Sequence, residues 1–269
     1  MNLHRYLRRI NYGGPLDVSR ATLHQLHRAH LLAISYENLD VQAGRRIDLD
    51  PQAAYEKIVE RGRGGWCYEM NGLFAWALRE LGFEVDLVAA GVGARERPEN
   101  AFNHLALIVR LDRPFLADVG FGNGFLTPPP LVEGPTNDGR FHFRLERLGK
   151  GWRFYNHSGT SDTYDFTETP CAIGAFSAKN AWLQRTPESP FVENLVCHRF
   201  TDEGIVTLRG AVLTTVTPSG IAETIAQSAS DLGTMLQSRF ELVPDDLTAL
   251  WERVAERHRA WVRRRLRGF

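Results

Sequence analysis

The hydrophobic pattern of the chain changes its period near residue 84, and this change limits the fold more than any other feature. Before it, "SRATLHQLHRAHLLAI" (residues 19–34) and "CYEMNGLFAWALREL" (residues 67–81) carry apolar residues at the 3.6-residue spacing of helices. Ser19 is placed to cap the first helix and Gly82 to end the second. After residue 84, runs such as "FEVDLVAAGVGA", "NHLALIVRL" and "GWRFYNHS" predict strands in close succession. The pattern predicts an α+β fold with antiparallel pairing.

Three regions follow from this pattern. We expect a helical region at residues 1–84, a strand-rich region at 85–195 and a mixed region at 196–269. The mixed region contains a predicted hairpin, "GIVTLRGAVLTTVTP", followed by a helical tail. The proline-bearing stretch "SAKNAWLQRTPESPFVENL" is expected to be irregular.

Composition limits the partners and the compartment. The 269 residues carry 32 Lys+Arg against 32 Asp+Glu, so no overall charge attracts nucleic acid or an anionic membrane. No run approaches the roughly 18 consecutive apolar residues of a membrane span, and the first residues lack the apolar core of a secretory signal. Three cysteines without paired spacing argue against a disulfide framework. We expect a cytoplasmic protein with no nucleic-acid or membrane partner, and the sequence leaves open whether it forms a homo-oligomer.

The stretch "RGRGGWCYEMNGLF" places Cys67 at the start of a predicted helix, directly after a glycine turn. A helix amino terminus stabilises a thiolate through its free N–H groups and its partial positive charge, so Cys67 is placed as a nucleophile. The alternative is a small buried residue that fills a gap, which is the usual role of a free cysteine. Cys171 and Cys197 lack this context and are interpreted as structural.

A cysteine nucleophile needs a base, and the base needs an orienting group. His104 begins the strand-like "NHLALIVRL", and Asp118 lies in "FLADVGFG" on the next run. The alternatives are an ordinary edge histidine and a strand-end carboxylate satisfied by backbone N–H groups. His142 and His157 are the nearest competing histidines.

The distance between the two candidates along the hairpin raises a geometric objection. A regular two-residue turn at residues 112–113 would place Phe121 opposite His104, about three residues from Asp118. The pair therefore requires an earlier turn, a bulge or different strand neighbours.

Four ordered motifs resemble the arylamine N-acetyltransferase family. They are "HLLAISYENLD", "RGRGGWCYEMNGLF", "NHLALIV" and "LADVGFG". The early "YLRRI" fits the family as well, so the match spans roughly residues 6 to 125. The family pattern is R-G-G-x-C-[YF]-E-x-N, then a strand-borne histidine, then D-V-G-F-G. The chain departs from the family where Ser35 replaces a common proline, where "NHL" replaces a threonine–histidine pair, and where Thr186 replaces a histidine in "RTPESPF".

The resemblance implies a fold and a chemistry. The fold would be an N-terminal helical bundle, a central antiparallel β-barrel and a C-terminal α/β lid, built on a cysteine-protease-like core. Cys67 would be the nucleophile, His104 its base and Asp118 the orienting group. The reaction would move an acetyl group from acetyl-CoA, through an acyl-cysteine, to the nitrogen of an arylamine, arylhydrazine or arylhydroxylamine. Acetyl-CoA would be a co-substrate, with no permanently bound cofactor and no metal.

Motif position also suggests supporting residues. Glu37 and Arg63 are expected to be buried partners that hold the loop before Cys67, with an unremarkable surface pair as the alternative. The candidates for substrate and CoA binding, several of which could equally belong to the core, are Tyr36, Tyr68, Asn103, Gly122, Gly124, Phe125 and Phe191.

Two other functions fit the same residues. A Cys, His, Asp order also suits a papain-like hydrolase, a transglutaminase-type enzyme or an amide synthase. A binding protein that keeps the fold without catalysis is the second alternative.

Overall fold

The computed structural model describes residues 1–95, 97–157 and 163–267. The N-terminal region is helical, as predicted, and Ser19 caps the second helix by accepting from Thr22 N (3.2 Å). A π-helical turn, Glu56–Glu60, extends the fourth helix, and the fifth carries Cys67 at its first position. The elements of this region are α1 (Leu3–Arg9), α2 (Arg20–Ala33), β1 (Tyr36–Glu37), α3 (Leu39–Gln42), α4 (Pro51–Tyr55) and α5 (Cys67–Glu80).

A seven-stranded antiparallel sheet follows. Its spatial order is β4-β3-β2-β8-β7-β6-β5, and it curls into a half-barrel around α5 and the rest of the helical region. The expected α+β class is confirmed, with an open curled sheet in the place of the barrel. The strands are β2 (Glu84–Val92), β3 (His104–Arg110), β4 (Pro114–Ala117), β5 (Gly134–Asn137), β6 (His142–Leu148), β7 (Gly151–Tyr155) and β8 (Thr163–Pro170).

A second sheet joins the two ends of the chain. Its order is β1-β9-β10-β11-β12, so the two-residue strand β1 pairs with β9 across about 160 residues of sequence. The predicted hairpin is present as β10 and β11, and the predicted helical tail forms α8 and α9. The new elements are β9 (Val196–Phe200), β10 (Ile205–Arg209), β11 (Val212–Thr217), β12 (Gly220–Ile225), α8 (Ala229–Phe240) and α9 (Leu247–Arg267).

The stretch expected to be irregular is mostly helical, so that prediction was wrong. It forms α6 (Ser177–Arg185) and α7 (Pro190–Glu193). Polar side chains anchor α6: Gln184 Nε2 donates to Ile47 O (2.9 Å), and Gln184 Oε1 accepts from Ile47 N (2.7 Å). Apolar periodicity could not reveal a helix that is held by amide hydrogen bonds.

Helix α5 lies at the centre of the molecule. Its residues are buried from Cys67 to Leu78 on every side except at Trp76. Gly82 ends the helix as predicted: at φ +93° its N–H donates to Arg79 O, and Phe83 N donates to Leu78 O. A helix packed on all sides gives its first residue a fixed position.

Within the described residues, the helices are all too short or too polar to cross a lipid bilayer.

Candidate active site

The loop before α5 lies flat against β1, and this contact fixes the position of Cys67. Glu37 N donates to Gly65 O (3.0 Å), and Gly65 N donates to Ser35 O (3.3 Å). A Cβ atom at Gly64 would lie 2.1 Å from Ser35 O, so glycine is required there by close approach of the backbone. Cys67 then follows as the first residue of α5.

Cys67 is buried at the positive end of a 14-residue helix. The first N–H groups of a helix have no acceptor within it, and the helix dipole favours negative charge there. The Cys67 Sγ lies 4.0 Å from Asn103 O. Cys171 follows β8 and Cys197 lies within β9, and burial raises the pKa of both of these thiols, which disfavours their thiolates. Their predicted structural role agrees with these surroundings.

The structure brings His104 and Asp118 together beside Cys67. His104 Nε2 lies 2.7 Å from Asp118 Oδ2, and both side chains are almost completely buried. The Cys67 thiol lies close enough to the His104 ring to help raise the pKa of that ring. Because Nε2 is taken by Asp118, Nδ1 is the ring nitrogen that can exchange a proton with the thiol.

The hairpin between β3 and β4 answers the geometric objection. Arg110 pairs with Pro114, so the connecting loop has three residues, 111–113, and Leu107 pairs with Ala117. Continuing this register places Asp118 on the same side of the hairpin as His104, one diagonal step away. A two-residue turn would have turned Asp118 to the opposite face, because side chains alternate along a strand.

Asn71 holds the Asp118 carboxylate and is a functional residue that we did not predict. Its Nδ2 donates to Asp118 Oδ1 (2.8 Å) and to Leu105 O (2.6 Å), and its Oδ1 accepts from Val119 N (2.9 Å). The signal was present in the motif, because Asn71 lies four residues after Cys67, on the same helix face. Asn71 thus ties the helix that carries the thiol to the segment that carries the carboxylate.

Charge explains the protonation state of His104. Burial by itself lowers the pKa of His104, but the charge and hydrogen bond of Asp118, together with Cys67, outweigh it and raise this pKa to about 10. Burial alone would raise the pKa of Asp118, but His104, Asn71 and the Gly120 N–H hold it below its ordinary value. At neutral pH the pair is therefore an imidazolium beside a carboxylate.

A buried ionic cluster lies under the loop before Cys67. Arg63 Nη2 contacts Glu37 Oε1 at 2.8 Å, in line with the expectation that these two residues are buried partners. The Lys57 side chain is 4 % exposed, and its Nζ lies 2.8 Å from Asp40 Oδ2 and 3.0 Å from Glu69 Oε1. Glu69 also accepts from Trp66 N (3.1 Å), so the cluster reaches the first turn of α5. We did not predict Lys57 or Asp40, because a lysine in a helical sequence ordinarily faces solvent.

Three of the predicted aromatic residues lie around Trp66 and the start of α5, and one does not. The Phe191 ring packs against Tyr36 and Trp66, with centroid distances of 6.5 and 5.4 Å. Tyr68 follows Cys67 in α5 and donates its hydroxyl to Phe102 O (2.7 Å). Phe125 belongs to the core: it is 2 % exposed, stacks on His27 and packs against Phe143 and Phe154, so it does not line an open slot.

The remaining predicted residues lie in the segments next to His104 and Asp118. The Asn103 side chain is engaged with the backbone of Val92 through both its Oδ1 (2.8 Å) and its Nδ2 (3.1 Å), so its carbonyl is the group that faces Cys67. Gly122, at φ +89°, approaches the His198 ring so closely that a Cβ would lie 2.6 Å from it. Gly124 lies two residues further along the same segment, beside Phe121.

The competing histidines lie elsewhere. His142 is exposed at the start of β6, and His157 stacks on Phe141 at a centroid distance of 4.5 Å. Asp165, a carboxylate on β8, is paired with Arg153 through contacts of 2.6 and 2.7 Å.

Fold and geometry together define a class of protein. A cysteine at the start of a buried helix faces a histidine and a carboxylate from an antiparallel sheet, the arrangement used by cysteine-dependent hydrolases and acyltransferases.

The comparisons with known proteins identify the family. The family model described as N-acetyltransferase matches residues 19–247. The pineal gland isozyme of arylamine N-acetyltransferase from Gallus gallus is 35 % identical, over 80 % of this chain and 83 % of its own length. The arylamine N-acetyltransferase of Mycolicibacterium smegmatis is also 35 % identical, over 95 % and 98 %. The Mycobacterium marinum enzyme, solved in complex with CoA, superposes with a TM-score of 0.88 at 30 % identity, over 94 % and 98 %. This chain belongs to the arylamine N-acetyltransferase family.

Proposed function

We propose that this protein transfers an acetyl group from acetyl-CoA to the nitrogen of an arylamine, arylhydrazine or arylhydroxylamine, with Cys67 as the nucleophile, His104 as the base and Asp118 as the orienting group. The observation that carries the proposal is the position of the Cys67 thiol beside a His104 ring that is held by Asp118 and whose pKa is raised by both groups. Its family membership and its likeness to a structure in complex with CoA support acetyl-CoA as the co-substrate.

The first step charges the enzyme. The Cys67 thiolate, paired with the His104 imidazolium, attacks the thioester carbonyl of acetyl-CoA, and a new carbon–sulfur bond forms. The carbon–sulfur bond to CoA then breaks, and the leaving CoA thiolate takes the proton from His104 Nδ1. Because Asp118 accepts from Nε2, the ring keeps one tautomer and one orientation through the step.

The second step discharges the enzyme. The amine nitrogen attacks the acetyl-cysteine carbonyl, neutral His104 accepts the nitrogen's proton, and the Cys67 thiolate leaves. An amide forms and the thiolate–imidazolium pair returns. Exchange between two thioesters is nearly balanced, so amide formation makes the overall reaction effectively irreversible.

The oxyanion that forms in both steps needs preorganised N–H donors. The Cys67 N–H is our candidate, because it belongs to the first turn of α5, where backbone donors have no intrahelical acceptor. We propose Tyr36 and Phe191 as walls for the aromatic acceptor, with Tyr68 and Asn103 holding the adjacent backbone. Gly122 and Gly124 would offer N–H groups to the CoA phosphates. A cytoplasmic location is part of the proposal, and the three free thiols suit a reducing compartment.

A two-substrate assay tests the proposal against the hydrolase and binding-protein alternatives. Purified protein is incubated with acetyl-CoA and an arylamine, and released CoA thiol and acetylated amine are measured together. We expect equal amounts of both products from the wild type and none from Cys67→Ala, while Cys197→Ala retains activity. Cleavage of a peptide or glutamine amide without acetyl transfer would overturn the proposal, and the named relatives favour acetyl transfer.

A further inference from the structure

A second buried histidine, outside the three proposed catalytic residues, contacts the segment that carries Asp118. His27 lies on α2 and is completely buried. Asp118 N donates to His27 Nε2 (3.1 Å), and His27 Nδ1 lies 2.9 Å from Leu126 O. One imidazole ring therefore binds both ends of residues 118–126.

These contacts fix the tautomer of His27. A backbone N–H can only donate, so Nε2 must present its lone pair to Asp118 N. A carbonyl can only accept, so Nδ1 must carry the proton that is donated to Leu126 O. The ring is thus neutral and protonated at Nδ1. Burial lowers the pKa of His27 to about 4, in spite of the Leu126 carbonyl and the Asp118 charge, and this agrees with a neutral ring.

Residues 118–126, which we call the clamped segment, need the contacts that His27 provides. Residues 118–126 include Gly120, Gly122 and Gly124, and glycine gives a chain more conformational freedom than any other residue. Asn71 and Gly120 N fix the Asp118 carboxylate, but the described contacts to its backbone N–H come from His27. The Phe125 ring stacks on His27 at 5.5 Å and 12°, which holds the far end of the segment against the same imidazole.

We propose that His27 is a positioning residue for Asp118, a neutral imidazole that ties both ends of residues 118–126 to helix α2 and so sets the placement of Asp118 against His104. The proposal deepens the acetyl transfer proposed above and rests on it for the role of Asp118. His27 touches neither thiol nor substrate in this account and acts through Asp118 alone. The titratable groups around it are Asp118 from the clamped segment and His24 and His30 from its own helix.

The tautomer can be read directly by nitrogen NMR of protein labelled with ¹⁵N-histidine. We expect the His27 signals, identified by their loss from the spectrum of His27→Gln, to be those of a neutral ring protonated at Nδ1 near neutral pH. A His27 ring protonated at Nε2, or at both nitrogens, would overturn the proposal because neither form can accept from Asp118 N.

Two substitutions separate the two ends of the clamp. Glutamine can place its Oε1 near the position of Nε2 and keep the contact to Asp118 N, whereas asparagine can place its Nδ2 near Nδ1 and keep only the contact to Leu126 O. The readout is the alkylation rate of Cys67 by iodoacetamide as a function of pH, which reports the thiolate–imidazolium pair. We expect His27→Asn to lower the rate at slightly acid pH about tenfold, equivalent to a shift of one pH unit in the profile, and His27→Gln to stay near wild type.

His30→Asn is the matched control. His30 is equally buried on the same helix, but its Nδ1 contacts the Tyr6 hydroxyl (2.8 Å), away from residues 118–126. The His30→Asn substitution should lower thermal stability and leave the pH dependence of Cys67 alkylation unchanged. The proposal is refuted if Cys67 is alkylated in His27→Asn at the wild-type rate. It is also refuted if the rate falls by the same factor in His27→Asn and His27→Gln. Neither readout uses acetyl-CoA or an amine, so a failure of acetyl transfer would leave this test intact.

Discussion

Burial normally lowers the pKa of a histidine and leaves it neutral. This protein holds one buried histidine that is neutral and one that is protonated, both in contact with Asp118. His27 and His104 are both buried, and the pKa of His27 falls to about 4 while that of His104 rises to about 10. The difference lies in the partner. His104 faces the Asp118 carboxylate, whereas His27 faces an N–H group of the same residue. One aspartate thus fixes a charged histidine with its side chain and meets a neutral histidine with its backbone.

Replacing Asp118 by asparagine tests this division. Asp118→Asn removes the charge that keeps His104 protonated, so we expect acetyl transfer to fall by about two to four orders of magnitude. The rate at which iodoacetamide alkylates Cys67 should also fall at acid pH. Asp165→Asn, which removes the ion pair between Asp165 on β8 and Arg153 on β7, is the control and should stay near wild type. A loss of less than about threefold in Asp118→Asn would show that the imidazolium does not depend on this carboxylate.

The residues that the sequence predicted and the residues that it missed differ in kind. Cys67, His104 and Asp118 bear reactive groups at positions with a motif or a strand context, so residue type and position could select them. Asn71 and His27 act by hydrogen bonds to groups that are distant in the sequence, and neither partner is visible without the fold.

At the scale of elements, the loop length of one hairpin decides whether the site exists. The three residues between β3 and β4 give a register that keeps His104 and Asp118 on one side. Strand positions were predictable from the alternating pattern, but a one-residue difference in the turn was not, because turn residues 111–113 favour no single loop length.

The ionic cluster joins β1, α3, the π-helical turn and α5 beneath Cys67, and it carries a stability prediction. Lys57 is the cation shared by Asp40 and Glu69, and it is almost completely buried. Lys57→Met removes the one cation that the described ion pairs place beside Glu69 and leaves Asp40 with Arg45 and Arg63, so we expect the free energy of unfolding in urea to fall by about 3–5 kcal/mol.

An exposed pair supplies the control for this change. Arg5 contacts Glu60 at 2.9 Å on the surface, so Arg5→Met should leave the free energy of unfolding nearly unchanged. Equal losses in Lys57→Met and Arg5→Met would mean that the buried cluster contributes no more than a surface pair.

At the scale of the whole molecule, the chain closes on itself through β1 and β9. The fold class could be predicted because a hydrophobic period of 3.6 residues indicates a helix and a period of two residues indicates a strand. The pairing of β1 with a strand about 160 residues away could not be predicted, because two residues are too few to show an alternation of apolar and polar side chains. The register of β1 also depends on the loop at Gly64 and Gly65.

The buried histidines predict a maximum of stability near neutral pH. The folded pKa of His27 is lowered from 6.5 to about 4, so stability is present above pH 6.5 and is lost as pH falls towards 4, by about 3 kcal/mol for this residue. The folded pKa of His104 is raised from 6.5 to about 10, so its contribution is complete below pH 6.5 and is lost as pH rises towards 10.

Urea unfolding across this range measures both limbs. The interval from about pH 6.5 to 8.5 avoids the pH at which ordinary thiols ionise. In this interval, the loss of unfolding free energy with rising pH should disappear in His104→Gln. It should persist in His142→Gln, the control, which changes an exposed histidine. A wild-type stability that stays constant over this interval would contradict the raised pKa of His104.

The central claim is that Cys67 carries the acetyl group between donor and acceptor. The most direct measurement is the intact mass of enzyme that has been exposed to acetyl-CoA, freed of excess donor and then given an arylamine. We predict a single acetyl increment on wild type, located at Cys67 and absent from Cys67→Ala, which disappears when the amine is added as one equivalent of acetylated amine forms. An increment that persists in Cys67→Ala, or an acetyl group on Cys67 that the amine cannot remove, would contradict the account.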